Sequence, residues 1–143
     1  MKVYCEHGAL TKALKRLQAQ GVIQLVHFPY DEDSRTRHLS VDLVPSQLQW
    51  RDANVRWDEI RGTWDDLSGS PLYERILQVV GSNNRRDALH LDTAYKNCCA
   101  AFVTKDSDIL NHREELESLT GLRIFHPVRD DNGLRVFIGA GAD

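Results

Sequence analysis

The sequence has few cysteines and no long apolar segment, and each absence argues against a class of protein. Cysteine occurs at three of the 143 positions, an odd number, and the neighbours Cys98 and Cys99 form neither a C-x-x-C motif nor an obvious disulfide framework. We therefore expect reduced, mostly buried thiols. No stretch approaches the ~20 apolar residues of a membrane-spanning helix, so no membrane partner is expected. The first residues enter a strand-like run without a charged leader, and a cytoplasmic location is expected by default.

Positive charge is also scarce. The 18 lysines and arginines are outnumbered by 21 acidic residues, which gives a formal net charge of −3. This balance argues against a protein that holds nucleic acid mainly through a large positive field. Nucleic acid is not excluded, because metal ions at an acidic site reverse its local charge and single arginines such as Arg86 can contact phosphates. For each arginine, a solvated surface role is the simpler interpretation.

Hydrophobic periodicity predicts one α/β domain over residues 1–143. Residues 3–5 and 22–26 are typical of strands and residues 9–20 of a helix, so the chain begins with a β-α-β unit and a parallel strand pair. Further helices are predicted near 70–80, 84–98 and 108–119, and further strands at 101–103 and 122–125. The turn signal Asp131-Asn132-Gly133 precedes residues 134–138, where we predict an antiparallel edge strand. The expected architecture is a three-layer α/β/α domain with a central, mainly parallel sheet.

A stripe of tryptophans marks the longest predicted helical region, which starts near Pro45. Trp50, Trp57 and Trp64 recur every seven residues and share one helical face. They could stack nucleic-acid bases, but an apolar stripe at this spacing more often packs against a core or a second subunit. A homodimer is therefore one predicted assembly.

Several acidic residues follow predicted strands or open predicted helices. They are Glu6 after the first strand, Asp31, Glu32 and Asp33 after the second, Asp87 at the third position of a helix capped by Asn83 or Asn84, and Asp106 and Asp108 after the strand at 101–103. In an open parallel sheet, ligands bind outside the carboxyl ends of the strands, near the point where the strand order reverses. We therefore expect these carboxylates to converge.

Converging carboxylates are typical of a site for Mg²⁺ or Mn²⁺. Hard divalent cations prefer carboxylate oxygens, whereas the six histidines are too scattered to indicate a zinc site. In the run Asp31-Glu32-Asp33, Asp33 or Asp31 is the candidate ligand, and a solvated acidic turn is an equally good interpretation. Asp108 and His112, four residues apart, form another candidate pair, for which a surface hydrogen bond is the ordinary alternative.

Two segments carry a resemblance to a known family. The first is Asp87-Ala88-Leu89-His90-Leu91 with Ala94, and the second is Phe102-Val103-Thr104-Lys105-Asp106-Ser107-Asp108-Ile109-Leu110. Together they resemble the closing pattern of the PIN domains, in which an Asp-containing helix precedes a strand that ends in Thr-x-Asp-x-Asp. Gly121-Leu122-Arg123-Ile124 and Pro127 fit the same pattern.

The resemblance implies a fold and an activity. PIN domains have a parallel sheet between helices and are commonly metal-dependent ribonucleases, many of them toxins of bacterial toxin–antitoxin pairs. Asp87 and Asp106 would then bind Mg²⁺ or Mn²⁺, Asp108 would be a further ligand or a supporting carboxylate, and the Thr104 hydroxyl would orient Asp106 or a water. RNA would be the substrate and an antitoxin-like protein a partner.

Other residues are assigned around this core. Glu6 and Asp33 are predicted to complete the ligand set, and Arg86 and His90 to orient the substrate. A single histidine on a helix is, however, more often a structural residue than a functional one.

The opening turn departs from the family pattern. PIN domains usually show a strand running into Asp-Thr-Asn or Asp-Ser-Asn, where this chain has Glu6-His7-Gly8. The longer Glu6 side chain moves the carboxylate by about 1.5 Å, and even ~1 Å of misplacement can be costly in an active site. A binding or assembly module that has lost catalysis is therefore the main alternative. A phosphoacceptor receiver domain is less favoured, because the first strand is not followed by paired acidic residues.

Overall fold

The computed structural model describes residues 1–6, 8–30, 43–47 and 69–141. Within them the chain forms strands and helices in the order β1 (Lys2–Cys5), α1 (Lys12–Ala19), β2 (Gln24–Val26), α2 (Tyr73–Val80), α3 (Arg85–Lys96), β3 (Ala101–Val103), α4 (Ser107–Asn111), α5 (Arg113–Thr120), β4 (Arg123–Phe125) and α6 (Asp131–Gly141). None of these helices is long and apolar enough to cross a membrane.

The four strands form a parallel sheet in the order β2-β1-β3-β4. Tyr4 of β1 pairs with Val26 of β2 on one side and with Phe102 of β3 on the other. After β2 the chain crosses back over β1 to form β3, so the strand order reverses between β1 and β3. The prediction of an α/β fold with a mainly parallel sheet is therefore confirmed. In such sheets ligands commonly bind outside the carboxyl ends of the strands where the order reverses, which here means the ends of β1 and β3.

Helices cover both faces of the sheet. Alternate residues of a strand point to opposite faces, and Tyr4 belongs to one buried cluster whereas Val3 and Cys5 belong to another. The Tyr4 side is covered by α2, α3 and α5, and the Val3 side by α1 and α6. Beyond the polar first residues Lys2, Gln24 and Arg123, the strands are buried on both faces, which explains why the rest of each strand is apolar.

The predicted antiparallel edge strand at residues 134–138 is wrong, because this segment lies within helix α6 (Asp131–Gly141). Leu134 and Ile138, four residues apart, are the buried positions, which is a helical period and not the period of two that a strand requires. Asp131 lies in the first turn and accepts a hydrogen bond from the Arg135 side chain at 2.9 Å. The Asp-Asn-Gly sequence therefore opens a helix that packs on the sheet.

One further predicted helix differs from the structure, and two other predictions fall on residues that the structure does not describe. The single helix expected near 108–119 is divided into α4 and α5, with His112 between them at φ −111°. The tryptophan stripe at Trp50, Trp57 and Trp64 and the acidic run at residues 31–33 lie outside the described residues.

Candidate functional site

The carboxyl ends of β1 and β3 are joined by backbone and side-chain bonds. The Glu6 N–H donates to the Val103 carbonyl at 3.0 Å, and the Thr104 N–H donates to the Phe125 carbonyl at 3.0 Å. Both residues therefore extend the hydrogen-bonding pattern of the sheet beyond its strands. The buried Thr104 hydroxyl donates to Oε2 of Glu6, although the two residues are 98 positions apart. This bond fixes the Glu6 carboxylate at the point where the strand order reverses.

Asp106 caps helix α4. Its Oδ1 accepts the N–H groups of Asp108 at 2.9 Å and Ile109 at 3.1 Å, as expected for aspartate at an N-cap. Its own N–H donates to the Thr104 hydroxyl at 2.9 Å. Thr104 is thus bonded to Glu6 through its hydrogen and to Asp106 through its oxygen. The Thr104 hydroxyl contacts the backbone N–H of Asp106 and not its carboxylate, and its predicted orienting role stays a prediction.

Asp87 enters the site from the other side, in the first turn of α3. Asn84 occupies the N-cap position, as predicted, but its side-chain amide donates to the Val80 carbonyl at the end of α2. Asn84 therefore joins the two helices instead of capping α3. Asp87 is half-buried and faces the loop after β3.

Asp87, Asp106 and Asp108 converge as predicted; we call them the acidic cluster. One ligand atom of each lies within 4.8 Å of the others. Two oxygens on opposite sides of Mg²⁺ lie ~4.2 Å apart, since each Mg²⁺–O distance is ~2.1 Å. A small side-chain rotation, or one bridging water, would match the three carboxylates to such an ion. An all-carboxylate donor set suits Mg²⁺ or Mn²⁺ better than softer metals.

The acidic cluster concentrates negative charge. The pKa of Asp87 is raised from 3.8 to about 7, first by burial and then by the charges of Glu6 and Asp106, with Asp108 adding to them and His90 opposing. Carboxylates so close together cannot all ionise cheaply unless a cation lies among them. Burial and the neighbouring carboxylates together therefore favour the protonated form of Asp87.

Glu6 lies beside the acidic cluster and is not one of its three converging members. Its Oε2 accepts the Thr104 hydroxyl, while its charge still reaches Asp87. Its role as a ligand stays a prediction.

The two residues predicted to orient the substrate, His90 and Arg86, differ in solvent exposure. His90 is only 3% exposed, its Nδ1 is 2.5 Å from the Tyr4 hydroxyl, and its ring stacks on His27 at 5.1 Å. This placement favours the structural alternative for His90 over contact with a substrate. Arg86 is exposed at the second position of α3, next to Asp87.

Asp92 is a buried carboxylate that the sequence analysis missed. It is fully buried in α3 and accepts the hydroxyl of Ser46 at 2.5 Å, the N–H of Ser70 at 3.0 Å and the Ser70 hydroxyl. These partners come from two separate segments, so Asp92 fastens both of them to α3. An aspartate within a run of buried helix residues was the available signal, but nothing in the sequence names its partners.

Asp108 and His112, predicted as a possible metal pair, instead form the surface hydrogen bond that was the alternative. The His112 Nδ1–H donates to the backbone carbonyl of Asp108 at 2.8 Å, not to its carboxylate. His112 also lines a cleft of about 780 Å³ with Arg75 of α2 and Glu115 of α5. No member of the acidic cluster lines this cleft, so its size does not identify it as the site of chemistry.

The bonds of Thr104 lead to a testable expectation. Replacing Thr104 with valine keeps the side-chain volume but removes the donor to Glu6 and the acceptor for Asp106. Because groups that orient metal ligands commonly contribute 10–100-fold in affinity, we expect Mn²⁺ to bind about 10-fold more weakly, as measured by isothermal titration. Thr104→Ser retains the hydroxyl and should bind like the wild type. Equal affinity in the valine variant would contradict this role.

Comparison with family models, with curated proteins and with solved structures finds no match for this chain.

Proposed function

We propose that this protein is a Mg²⁺- or Mn²⁺-dependent ribonuclease of PIN type. The observation that supports it is the convergence of Asp87, Asp106 and Asp108 outside the carboxyl ends of the strands, where the order of a parallel sheet reverses. Three carboxylates meet there, and Asp87 comes from a different helix, 19 positions before Asp106. The PIN resemblance of the same residues makes RNA the favoured substrate and an antitoxin-like protein a candidate partner.

The residues of the site divide the work of phosphodiester hydrolysis. Asp87 and Asp106 would hold the ion, and Asp108 would be a further ligand or a supporting carboxylate. A bound Mg²⁺ or Mn²⁺ supplies an activated water and offsets the charge on the leaving oxygen. Thr104 holds Asp106 and Glu6 in place. The exposed Arg86 beside Asp87 is suited to contact a substrate phosphate.

Metal-dependent cleavage tests this proposal directly. End-labelled single-stranded RNA is incubated with the protein in Mg²⁺, in Mn²⁺ and in EDTA, and the products are separated on a denaturing gel. We expect cleavage with either metal and none in EDTA, because the activated water and the charge on the leaving oxygen both depend on the ion. Cleavage that is as fast in EDTA would overturn the metal mechanism.

The pKa of Asp87 sets the pH dependence of metal binding. Since that pKa is raised to about 7, a proton competes with the metal below this pH. We expect the Mn²⁺ association constant to rise about tenfold per pH unit up to pH 7 and to level off above it. The metal-free fold should lose stability as pH rises from about 4 to 7, because the unfolded chain releases this proton earlier.

Titration of Mn²⁺ by calorimetry across this pH range measures the effect. Asp87→Asn, which cannot ionise, should bind more weakly with a much flatter pH profile. A steep rise that persists in Asp87→Asn would show that another group is responsible.

A second candidate is a PIN-like module that binds or assembles without catalysis. The observation that favours it is the position of Glu6, whose carboxylate is held by Thr104 and lies outside the three converging ligands. Calorimetry separates the two candidates. If Mn²⁺ does not bind even at millimolar concentration, the ribonuclease loses its basis and the module is favoured.

A further inference from the structure

A turn of residues 126–130 follows β4 at the same edge of the sheet as the acidic cluster. The Phe125 carbonyl accepts the Thr104 N–H at 3.0 Å, so this turn begins directly beside the loop that carries Asp106. Lys105 lies in that loop, between Thr104 and Asp106. The acidic cluster therefore has an immediate neighbour on its β4 side.

His126 organises this turn. Its Nδ1 accepts the N–H groups of Val128 at 3.1 Å and Arg129 at 3.0 Å, and its own N–H donates to Oδ2 of Asp130 at 2.7 Å. A ring nitrogen that accepts hydrogen bonds carries no proton, so the ring hydrogen is on Nε2. These hydrogen bonds join the start of the turn to its end. The bond from the Arg129 N–H to the His126 ring fixes the backbone position of Arg129.

The turn is surrounded by positive charge. The pKa of His126 is lowered, first by burial and then by the charge of Arg129, and Lys105 and Arg113 act in the same direction against Asp130. Asp130 is bonded to Arg113 at 2.9 Å, which balances those two charges. Lys105 and Arg129 are exposed, and within the described part of the chain neither forms an ion pair. Two exposed cations therefore lie near the His126 ring, and one of them, Lys105, directly precedes Asp106 of the acidic cluster.

This arrangement answers an electrostatic problem of the proposed function. The acidic cluster repels a polyanion until a cation is bound, and the whole chain is negatively charged at −3. Affinity for a phosphate backbone therefore has to come from local cations outside the cluster. Of the neighbouring segments described, the turn at 126–130 with Lys105 supplies such cations on a fixed backbone.

We propose that Lys105, Arg129 and the His126 turn form a subsite for the phosphate backbone of single-stranded RNA, next to the phosphate that lies at the acidic cluster. The inference rests on the proposed function, because it assigns the path of the substrate through the same site. It recognises phosphate and not base, so single-stranded DNA should occupy it as well.

Binding without cleavage tests the subsite. The anisotropy of a short fluorescent single-stranded RNA is measured in EDTA between about 50 and 200 mM salt. Each phosphate contact on a single strand contributes about 0.7 to the slope of log K against log salt. For Lys105→Ala/Arg129→Ala we expect binding at least 5-fold weaker at low salt and a slope smaller by about 1.4, since two such contacts are lost.

The matched control removes the same charge elsewhere. Lys15 and Arg16 are exposed on α1, and Arg16 lies in its last turn. Because α1 returns from the carboxyl ends of the strands to the opposite edge of the sheet, Lys15→Ala/Arg16→Ala should keep the wild-type slope. If both double variants lost the same RNA affinity and the same salt slope, net charge alone would explain the effect, and the subsite would be overturned. An unchanged Lys105→Ala/Arg129→Ala variant, or no RNA binding by the wild type, would overturn it as well.

Cleavage assays separate failure of the subsite from failure of the nuclease. If the wild type binds RNA through Lys105 and Arg129 but cleaves none with Mg²⁺ or Mn²⁺, the nuclease fails and the subsite stands. If RNA is cleaved and the double variant keeps the wild-type kcat/KM at low salt, the subsite fails and the nuclease stands. Both side chains are exposed, so thermal unfolding should confirm an intact fold in either case.

Discussion

Asp106→Asn is expected to lower the rate of the proposed metal-dependent RNA cleavage by at least ~100-fold, because it removes the charge of a carboxylate that this proposal makes a metal ligand. The substitution keeps the fold, since asparagine caps a helix about as well as aspartate and its carbonyl oxygen can accept the N–H groups of Asp108 and Ile109. Initial rates on labelled RNA with saturating Mn²⁺ measure the loss, and urea denaturation checks that stability is unchanged.

A matched substitution distinguishes a ligand from a surface charge. Glu74 is an exposed carboxylate in the first turn of α2, as Asp87 is a carboxylate in the first turn of α3. Glu74→Gln removes one charge near a helix start without touching the acidic cluster, so it should cleave at the wild-type rate. Wild-type cleavage by Asp106→Asn, with an unchanged dependence on metal concentration, would refute the proposed role of the cluster.

Asp92→Ala is expected to lower the free energy of unfolding by ~3 kcal/mol, since a buried donor of Ser46 and two half-buried donors of Ser70 lose their acceptor, at about 1 kcal/mol each. The donors are the Ser46 hydroxyl and the N–H and hydroxyl of Ser70. For a chain of this size the loss corresponds to about 10 °C in Tm. Urea denaturation followed by circular dichroism gives the free energy and its slope.

The comparison with asparagine shows whether hydrogen bonding is responsible. Asp92→Asn keeps the shape and one acceptor oxygen, so its loss should be well below that of alanine. Neither variant should abolish Mn²⁺ binding at temperatures far below Tm, because Asp92 lies outside the acidic cluster. A change in stability of less than about 0.5 kcal/mol for Asp92→Ala would contradict the anchoring role.

The candidate site was partly readable from the sequence for a local reason. Asp87, Asp106 and Asp108 lie at helix starts, after breaks in hydrophobic periodicity. Such breaks can be recognised from a few neighbouring residues of the sequence. A general rule then brings them together, because parallel strands present their carboxyl ends at one edge of a sheet. This rule predicts that the three carboxylates lie near one another, and their ligand atoms do lie within 4.8 Å.

Other features depend on partners that the sequence does not name. The run at residues 134–138 contains β-branched and aromatic side chains and was predicted as a strand, but its burial against β4 has a helical period. Tertiary packing overrode local propensity there. The bond between Thr104 and Glu6 joins residues 98 positions apart, and Asp92 reaches Ser46 and Ser70 across 46 and 22 positions.

The sequence by itself determined the α/β class and the parallel sheet, because both follow from short-range periodicity. It offered Asp87, Asp106 and Asp108 as candidates among several acidic residues, through helix starts, a strand end and the PIN resemblance. Only the tertiary structure decided that α6 is a helix, that His90 is buried in the core and that Glu6 is held by Thr104. It alone placed Lys105 beside the His126 turn. Each of these features depends on contacts between segments that are distant in the sequence. The free energy that favours them comes from the burial of apolar surface and from hydrogen bonds formed in the folded chain.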